Sequence, residues 1–478
     1  MNKNLVYKST SLQVYKLSKK LENLKTQKLV NLLTLTLLLT LISCSDDKEG
    51  PVAGKSFFKT EIQKVDSKEA AALLSGFAAK IPPAVKSSYW PRNGFIPAEN
   101  LAFSEGFSYD ESSAGSEPKK GLGITSIPVI AEDKIFTLGG DGELEARTLG
   151  DISNILWSTK VESLTPDKKE KGKLGKYISD AKNLFASKTQ FIGGNICYSL
   201  GNIYVTTKRG NLFAVSAKDG KILWSKNYNT IIRSAPLVRE DKILFISSDN
   251  RATVASTKDG ALIWQHQGFV GTSKVMSSPA PLLIGNKVIL TYSSGEVFAM
   301  DFNSGTELWN TELSKSSYGS FTSFMNDISY NAVFHRGVIY IVSSDGTLNA
   351  IDESGHSVWN FEGEAINSSV WPVADMIFAT TRFGDIIAVS AQSGKLVWKN
   401  KMAESEAIDE DELQFTGVIM ANSKLYAADN NGTLYSYSPQ SGDIIAKNKI
   451  PSDVALTPVI ADGKMFLITK ISKLIEVK

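Results

Sequence analysis

Side chains able to do chemistry are few among the 478 residues of this chain. There are three histidines, His266, His335 and His356, and no two are spaced as metal ligands are. His335 stands beside Phe334 in an apolar stretch, and the other two fall near the ends of short strand-like runs. The two cysteines, Cys44 and Cys197, form no Cys-x-x-Cys pair. Gly193-Gly194 is not followed by a helical pattern, which argues against a phosphate cradle. The sequence therefore predicts no catalytic residue, no metal site and no cofactor. Fifty-two Lys and Arg against 50 Asp and Glu give a net charge of +2, so no basic footprint for nucleic acid exists. Even that excess is local, because residues 1–28 hold seven lysines and one glutamate.

One cysteine does have a chemistry written around it. Residues 29–47 read "LVNLLTLTLLLTLISCSDD". The apolar run 29–42 is shorter than the about 20 residues a membrane span needs and suits a signal-peptide core. It ends in Leu41-Ile42-Ser43-Cys44, which resembles a bacterial lipobox. That pattern implies that Cys44 is lipidated and becomes the first residue of the mature chain, with Ser45 after it implying the outer membrane. A plain membrane anchor is the alternative. Cys197, in "GGNICYSL", then has no partner and reads as a small buried hydrophobe.

The rest of the chain is repetitive. "AVSAKDGKILW" at 214–224 returns as "AVSAQSGKLVW" at 388–398. Gly followed four residues later by Trp occurs at Gly220/Trp224, Gly260/Trp264, Gly305/Trp309, Gly355/Trp359 and Gly394/Trp398. Trp157 ends a degenerate copy, and at Gly442/Ala446 the tryptophan is lost. Upstream lies Gly-x-apolar-x-Ala: "GELEA" from Gly142, "GNLFA" from Gly210, "GEVFA" from Gly295, "GTLNA" from Gly346 and "GDIIA" from Gly384, with "RATVA" from Arg251 and "GTLYS" from Gly432 as variants. These phrases recur every 38 to 68 residues, which is a propeller-blade period.

A unit such as 234–264 divides into four strands. "APLV", "ILFIS", "ATVAS" and "ALIW" are separated by turns rich in Asp, Asn and Gly, the residues that accept positive φ. A blade is stable only when stacked on neighbours, and a large ring on the fourth strand gives it something to stack with. Trp157, Trp224, Trp264, Trp309, Trp359 and Trp398 are accordingly read as inter-blade residues. Seven units run from 122 to 449, and the last, 457–478, has only three strands. A ring leaves no open edge, so its fourth strand is expected from within 88–112. The fold class is all-β, an eight-bladed β-propeller of four-stranded antiparallel blades with the last blade closed by an N-terminal strand. The domains are a lipoprotein signal peptide, 1–43, a tether with a possible short helix that Pro82 and Pro83 would end, 44–87, and the propeller, 88–478. The stretches 161–190 and 403–413 break the period and read as solvated loops.

The blade phrase resembles the repeat of quinoprotein-like propellers. Enzymes of that group use a quinone with calcium and typically carry adjacent cysteines, a pair this sequence lacks. The lipobox, the eight units and "SYWPRNGFIPAENLAF" at 88–103 together are similar to the BamB family, propeller lipoproteins of the outer-membrane barrel-assembly machinery. The resemblance implies a non-catalytic scaffold at the periplasmic face of the outer membrane. Its partners would be the periplasmic domains of BamA and unfolded outer-membrane proteins. In that family leucines and an arginine before a Ser-Ala-Pro strand meet BamA, which carries over to Ile231, Ile232 and Arg233 in "TIIRSAP". A second loop with two aspartates corresponds to "FMNDISYNAV", where Asp327 matches the first and Ser329 replaces the second. Arg233 either meets the partner or pairs with Asp327 within the propeller, and Ile231 and Ile232 either meet the partner or are strand core. The other readings are a quinone-dependent periplasmic dehydrogenase and a propeller that binds a ligand in its central channel.

Overall fold

Apolar runs of about five residues, punctuated by turn residues, give middle strands that are buried almost throughout and a fourth strand that is largely exposed. Blade 3 illustrates the rule with Leu237–Arg239, Lys242–Ile246, Arg251–Ser256 and Leu262–Gln267 hydrogen-bonded in that order. The computed structural model describes residues 67–104, 109–110, 124, 126–162, 193–269, 279–313, 328, 330–400, 413–470 and 473–477, with side chains in the helix from residue 71. Within them lie eight four-stranded antiparallel sheets. Blades 1 to 7 occupy 129–160, 194–227, 237–267, 282–312, 333–361, 371–400 and 415–449. Blade 8 is 459–477 completed by Tyr109–Asp110, whose two residues pair with Val477 and Glu476. The ring is an eight-bladed β-propeller closed by the N-terminal strand.

The short first strands stand innermost. They are mostly buried, whereas the fourth strands show patterns such as exposed-exposed-half-exposed and form the rim. Because antiparallel strands alternate in direction, the first and third turns of every blade lie on one face of the ring. The second turns and the connections between blades lie on the other, here called the connection face. The first turns are two-residue hairpins with the first residue at positive φ, and in blades 1, 2, 5, 7 and 8 both residues, as at Leu200 (47°) and Gly201 (79°), the geometry that matches strand twist.

The helix α1, Ser67–Lys80, is built on an Ala- and Leu-rich run and stops two residues before Pro82, as expected from the steric demand of proline on what precedes it. Expected within a tether, it is instead docked. Phe77 is 1% exposed and meets Phe378 of blade 6 edge-on at 6.1 Å, and Lys80 pairs with Asp375. Cys44 and most of 161–190 and 403–413 lie outside the described residues. The ends that are described are core rather than loop, since Val161 and Leu413 are 5% and 0% exposed.

Candidate functional site

The two repeated signatures prove to be cross-strand partners. Ala146, Ala214, Ala299, Ala350 and Ala388 stand directly opposite Trp157, Trp224, Trp309, Trp359 and Trp398, with Val254 opposite Trp264. Each ladder slips by one residue at that point. In blade 3, Val254 faces Trp264 but Ala255 faces Leu262, leaving Ile263 as a bulge. The bulge turns the indole sideways onto the next blade. Trp157, Trp224, Trp264, Trp309, Trp359 and Trp398 lie against Gly220, Gly260, Gly305, Gly355, Gly394 and Gly442 respectively, each of the following blade. Each Nε1 donates to a carbonyl in the same turn: Ala217, Thr257, Phe302, Glu353, Ala391 and Pro439, at 2.8–3.2 Å. A Cβ on Gly305 would stand 2.7 Å from the Trp264 ring, so the glycine is required for the approach.

The same bulge exposes a residue type that sequence reasoning passed over. Leu156, Leu223, Ile263, Leu308, Val358 and Ile445 are 42–51% exposed along the rim. The signal was present, as an apolar residue immediately before each tryptophan. Blade 1 offers the longest rim strand, Asp151–Lys160, with ten residues, and adds Ile155. A fourth strand is hydrogen-bonded on one side only, which leaves a row of backbone groups open to pairing.

On the connection face, the loop leading into blade 3 carries Ile231, Ile232 and Arg233. It is fixed by backbone bonds on both sides. Ser248 N donates to Ile231 O at 2.8 Å, Arg233 N to Ile246 O at 3.2 Å, and Asn195 Nδ2 to Arg233 O at 3.0 Å. Ile231 is 45% exposed, but Ile232 is 1% exposed and forms a bridge with Ser247. Of the two readings of the isoleucines, Ile232 takes the strand-core one and only Ile231 is open to a partner, because neighbours in an extended chain point in opposite directions. Ile232 occupies a recurring core position, shared by Ile328, Ile366 and Val454, which bridge Ser343, Thr381 and Thr469. Arg233 is half-buried, and a second cation, Lys208, stands close enough for the two charges to repel. Burial first, and then the Arg233 charge, hold the Lys208 ammonium below the usual lysine range. Sequence reasoning missed Lys208, for which no spacing gave a signal. Asp327 and Ser329 lie outside the described residues.

Elsewhere on this face, Lys399 joins two buried carboxylates, Glu364 at 2.7 Å and Asp385 at 2.8 Å. Burial pushes the Asp385 carboxyl up from its usual range. Burial would also lower Lys399, yet its bonds to Asp385 and Glu364 outweigh it and hold the ammonium above the ordinary value. Among the described residues no three His, Cys, Asp or Glu side chains are grouped to hold a metal ion. Among them, too, no helix is long and apolar enough to cross a membrane.

Fold and repeat together define a propeller of the quinoprotein-like class, with its indole docks between blades and its open chemistry on rim and loops. The family model described as outer membrane protein assembly factor BamB matches residues 154–400 and again 382–477, and the chain belongs to that family. The BamB of Yersinia pestis is 24% identical over 254 residues, 53% of this chain and 63% of that protein, so the match spans under two-thirds of the relative. The BamB of Salmonella typhimurium is 22% identical over 345 residues, 72% of this chain and 81% of the relative. The crystal structure of BamB from Moraxella catarrhalis superposes with a TM-score of 0.60 at 16% identity, covering 72% of this chain and 94% of that one. Quinohemoprotein alcohol dehydrogenase from Comamonas testosteroni superposes at 0.57 with 12% identity, covering 84% and 79%. At such identities the superpositions speak for the fold alone.

Proposed function

We propose that this protein is a non-catalytic scaffold of the outer-membrane β-barrel assembly machinery, held to the periplasmic face of the outer membrane by lipid on Cys44. In this reading it binds the periplasmic domains of BamA through its connection face. The observation that carries the proposal is the rigid loop holding Ile231 and Arg233, with Lys208 beside it. An exposed aliphatic side chain next to a directional cation on a fixed backbone has the composition of an interface hot spot. A second cation favours a partner surface rich in carboxylates. Asp327 and Ser329 would supply the second loop of that surface.

The rim extends the proposal to unfolded outer-membrane proteins. Strand addition needs an open edge and apolar neighbours, and the blade 1 rim strand supplies both over ten residues.

The test is binding of the chain from Ser45 onward to the periplasmic domains of BamA from the same organism. Arg233→Glu is measured beside the wild type, with circular dichroism to show that it is folded. The expected result is tight binding that falls at least about tenfold in the variant, since one hot-spot side chain is worth about 2 kcal/mol or more. Unchanged binding in a folded variant would remove Arg233 from the interface, and no binding by the wild type would overturn the scaffold reading.

A further inference from the structure

The segment 85–104, which includes "SYWPRNGFIPAENLAF", belongs to no blade, yet its backbone is bonded to the innermost parts of most of them. Asp462 N, in the first turn of blade 8, donates to Ser87 O at 2.6 Å. Trp90 and Ile130 of blade 1 exchange both bonds at 2.8 and 2.9 Å, and Tyr198 N of blade 2 donates to Pro91 O at 2.8 Å. The chain then dips along the channel. Asn93 Nδ2 reaches Asn195 Oδ1 at 3.3 Å, and Gly94 presses against Ala280 and Asn331, which precede the inner strands of blades 4 and 5. It climbs back past blade 6, where Trp371 Nε1 donates to Glu99 O at 3.1 Å, and past blade 7, where Leu101 bonds Met420 and Asn422. Ser104 N returns to blade 8 at Gly463 O, 2.8 Å. The two ends of this circuit also meet each other, Val85 N donating to Asn100 O and Ala102 N to Val85 O, both at 2.8 Å.

We infer that residues 85–104 are an intramolecular strap that fills the central channel and holds the ring closed from inside. Two observations argue for a clasp rather than a passive filling. The first is where the strap binds. The seams between blades 7 and 8 and between 8 and 1 have no tryptophan-on-glycine dock, since Ala446 stands in place of the indole and blade 8 takes its fourth strand from Tyr109–Asp110. The strap bonds blades 7, 8 and 1, the blades on both sides of those seams. The second is its packing. Trp90 is 4% exposed and Leu101 0%, with Phe95 edge-on to Trp90 at 5.7 Å, so displacing the strap exposes an aromatic core. A channel occupied in this way is closed to quinones and other ligands unless the strap leaves. The binding surfaces are then the rim and the connection face.

Hydrogen exchange on the full chain tests this, with Gly94→Leu as the perturbation. A side chain at residue 94 is opposed by φ of +78° and by the Ala280 Cβ, which the new Cβ would meet at 2.5 Å. Cys197 is the second readout. Its thiol is 2% exposed, and its backbone bridges Arg92 of the strap. In the wild type, the amides of Trp90, Leu101, Ala102 and Ser104 are expected to exchange as slowly as those of Ile243–Phe245 in blade 3, to which the strap makes no backbone bond. Thiol alkylation, located by peptide mass so that Cys44 does not interfere, should leave Cys197 unmodified. In Gly94→Leu the 85–104 peptides should lose protection and Cys197 should label, while the strands of blades 3 to 5 stay protected. Strap amides exchanging in the wild type as fast as exposed turns would overturn the inference, whether or not the variant folds. So would a folded variant with unchanged protection and a silent Cys197.

Discussion

The dock between blades 3 and 4 gives a prediction with a defined sign and size. Trp264 lies on Gly305 and bonds Phe302 O at 3.0 Å. Trp264→Ala removes a half-buried indole. Full burial of such a side chain is worth about 3–5 kcal/mol on truncation, so a loss of about 3 kcal/mol is expected here. Gly305→Ala places a methyl at φ of +73°, 2.7 Å from the indole Cδ2. The backbone conformation costs about 1–2 kcal/mol and the overlap a further ~1–2 kcal/mol. In the double variant the ring atoms are absent and only the Cβ of residue 264, at 3.2 Å, stays close, so most of the overlap vanishes and the backbone cost remains. The double variant should therefore be more stable than the sum of the singles predicts, by about 1–2 kcal/mol. Urea unfolding midpoints, with unchanged m values, give all four corners of the cycle. Additivity within about 0.5 kcal/mol would show that the two residues do not press on each other across the seam, and the account of the paired motif would fail.

Lys399→Met strands the carboxylates of Glu364 and Asp385, 7% and 6% exposed, and should cost about 3–5 kcal/mol at neutral pH. Because burial raises Asp385 in the folded state, protonation favours folding, so the deficit should shrink as the pH is lowered towards the carboxylate range; a deficit that grows on acidification contradicts the arrangement. Cys44→Ser should move the protein from the membrane fraction to the soluble periplasmic fraction, and a variant still sedimenting with the outer membrane would exclude lipid on that residue as the anchor.

Much of the fold was legible because it is periodic. The tryptophan and alanine phrases mark the third and fourth strands, and the three-stranded last unit required a closing strand, which is Tyr109–Asp110. What periodicity does not carry is the strap. Its backbone bonds join residues as distant in the chain as Leu101 and Met420, through groups whose donors and acceptors are the same for every residue type. The helix was visible from its alanines and prolines, but its docking on blade 6 rests on tertiary contacts, Phe77 on Phe378 and Lys80 on Asp375, that no spacing announces. At the candidate surface, Arg233 stood out by type, whereas the burial of Ile232 follows only from the extended backbone that turns it inward. That position recurs in other blades as Ile328, Ile366 and Val454, five residues ahead of each inner-strand start at Val333, Trp371 and Val459, a spacing too plain to single out without the ring in view.

A ring built from interchangeable units faces a counting problem: nothing in a generic blade says how many should follow. The indole dock is directional, each blade offering a ring to the next and a glycine to the one before, so a chain of such blades could in principle continue. Here the series is terminated chemically. Blade 7 offers Ala446 in place of an indole, and blade 8 accepts a strand from the other end of the chain rather than making its own. Those two departures act as a stop codon written in side chains, fixing the number of units and setting the one place where the chain's beginning must be present for assembly to finish. Inserting another copy of a standard blade ahead of blade 7 would leave every dock satisfied, and only the circumference that the strap must span would register the error.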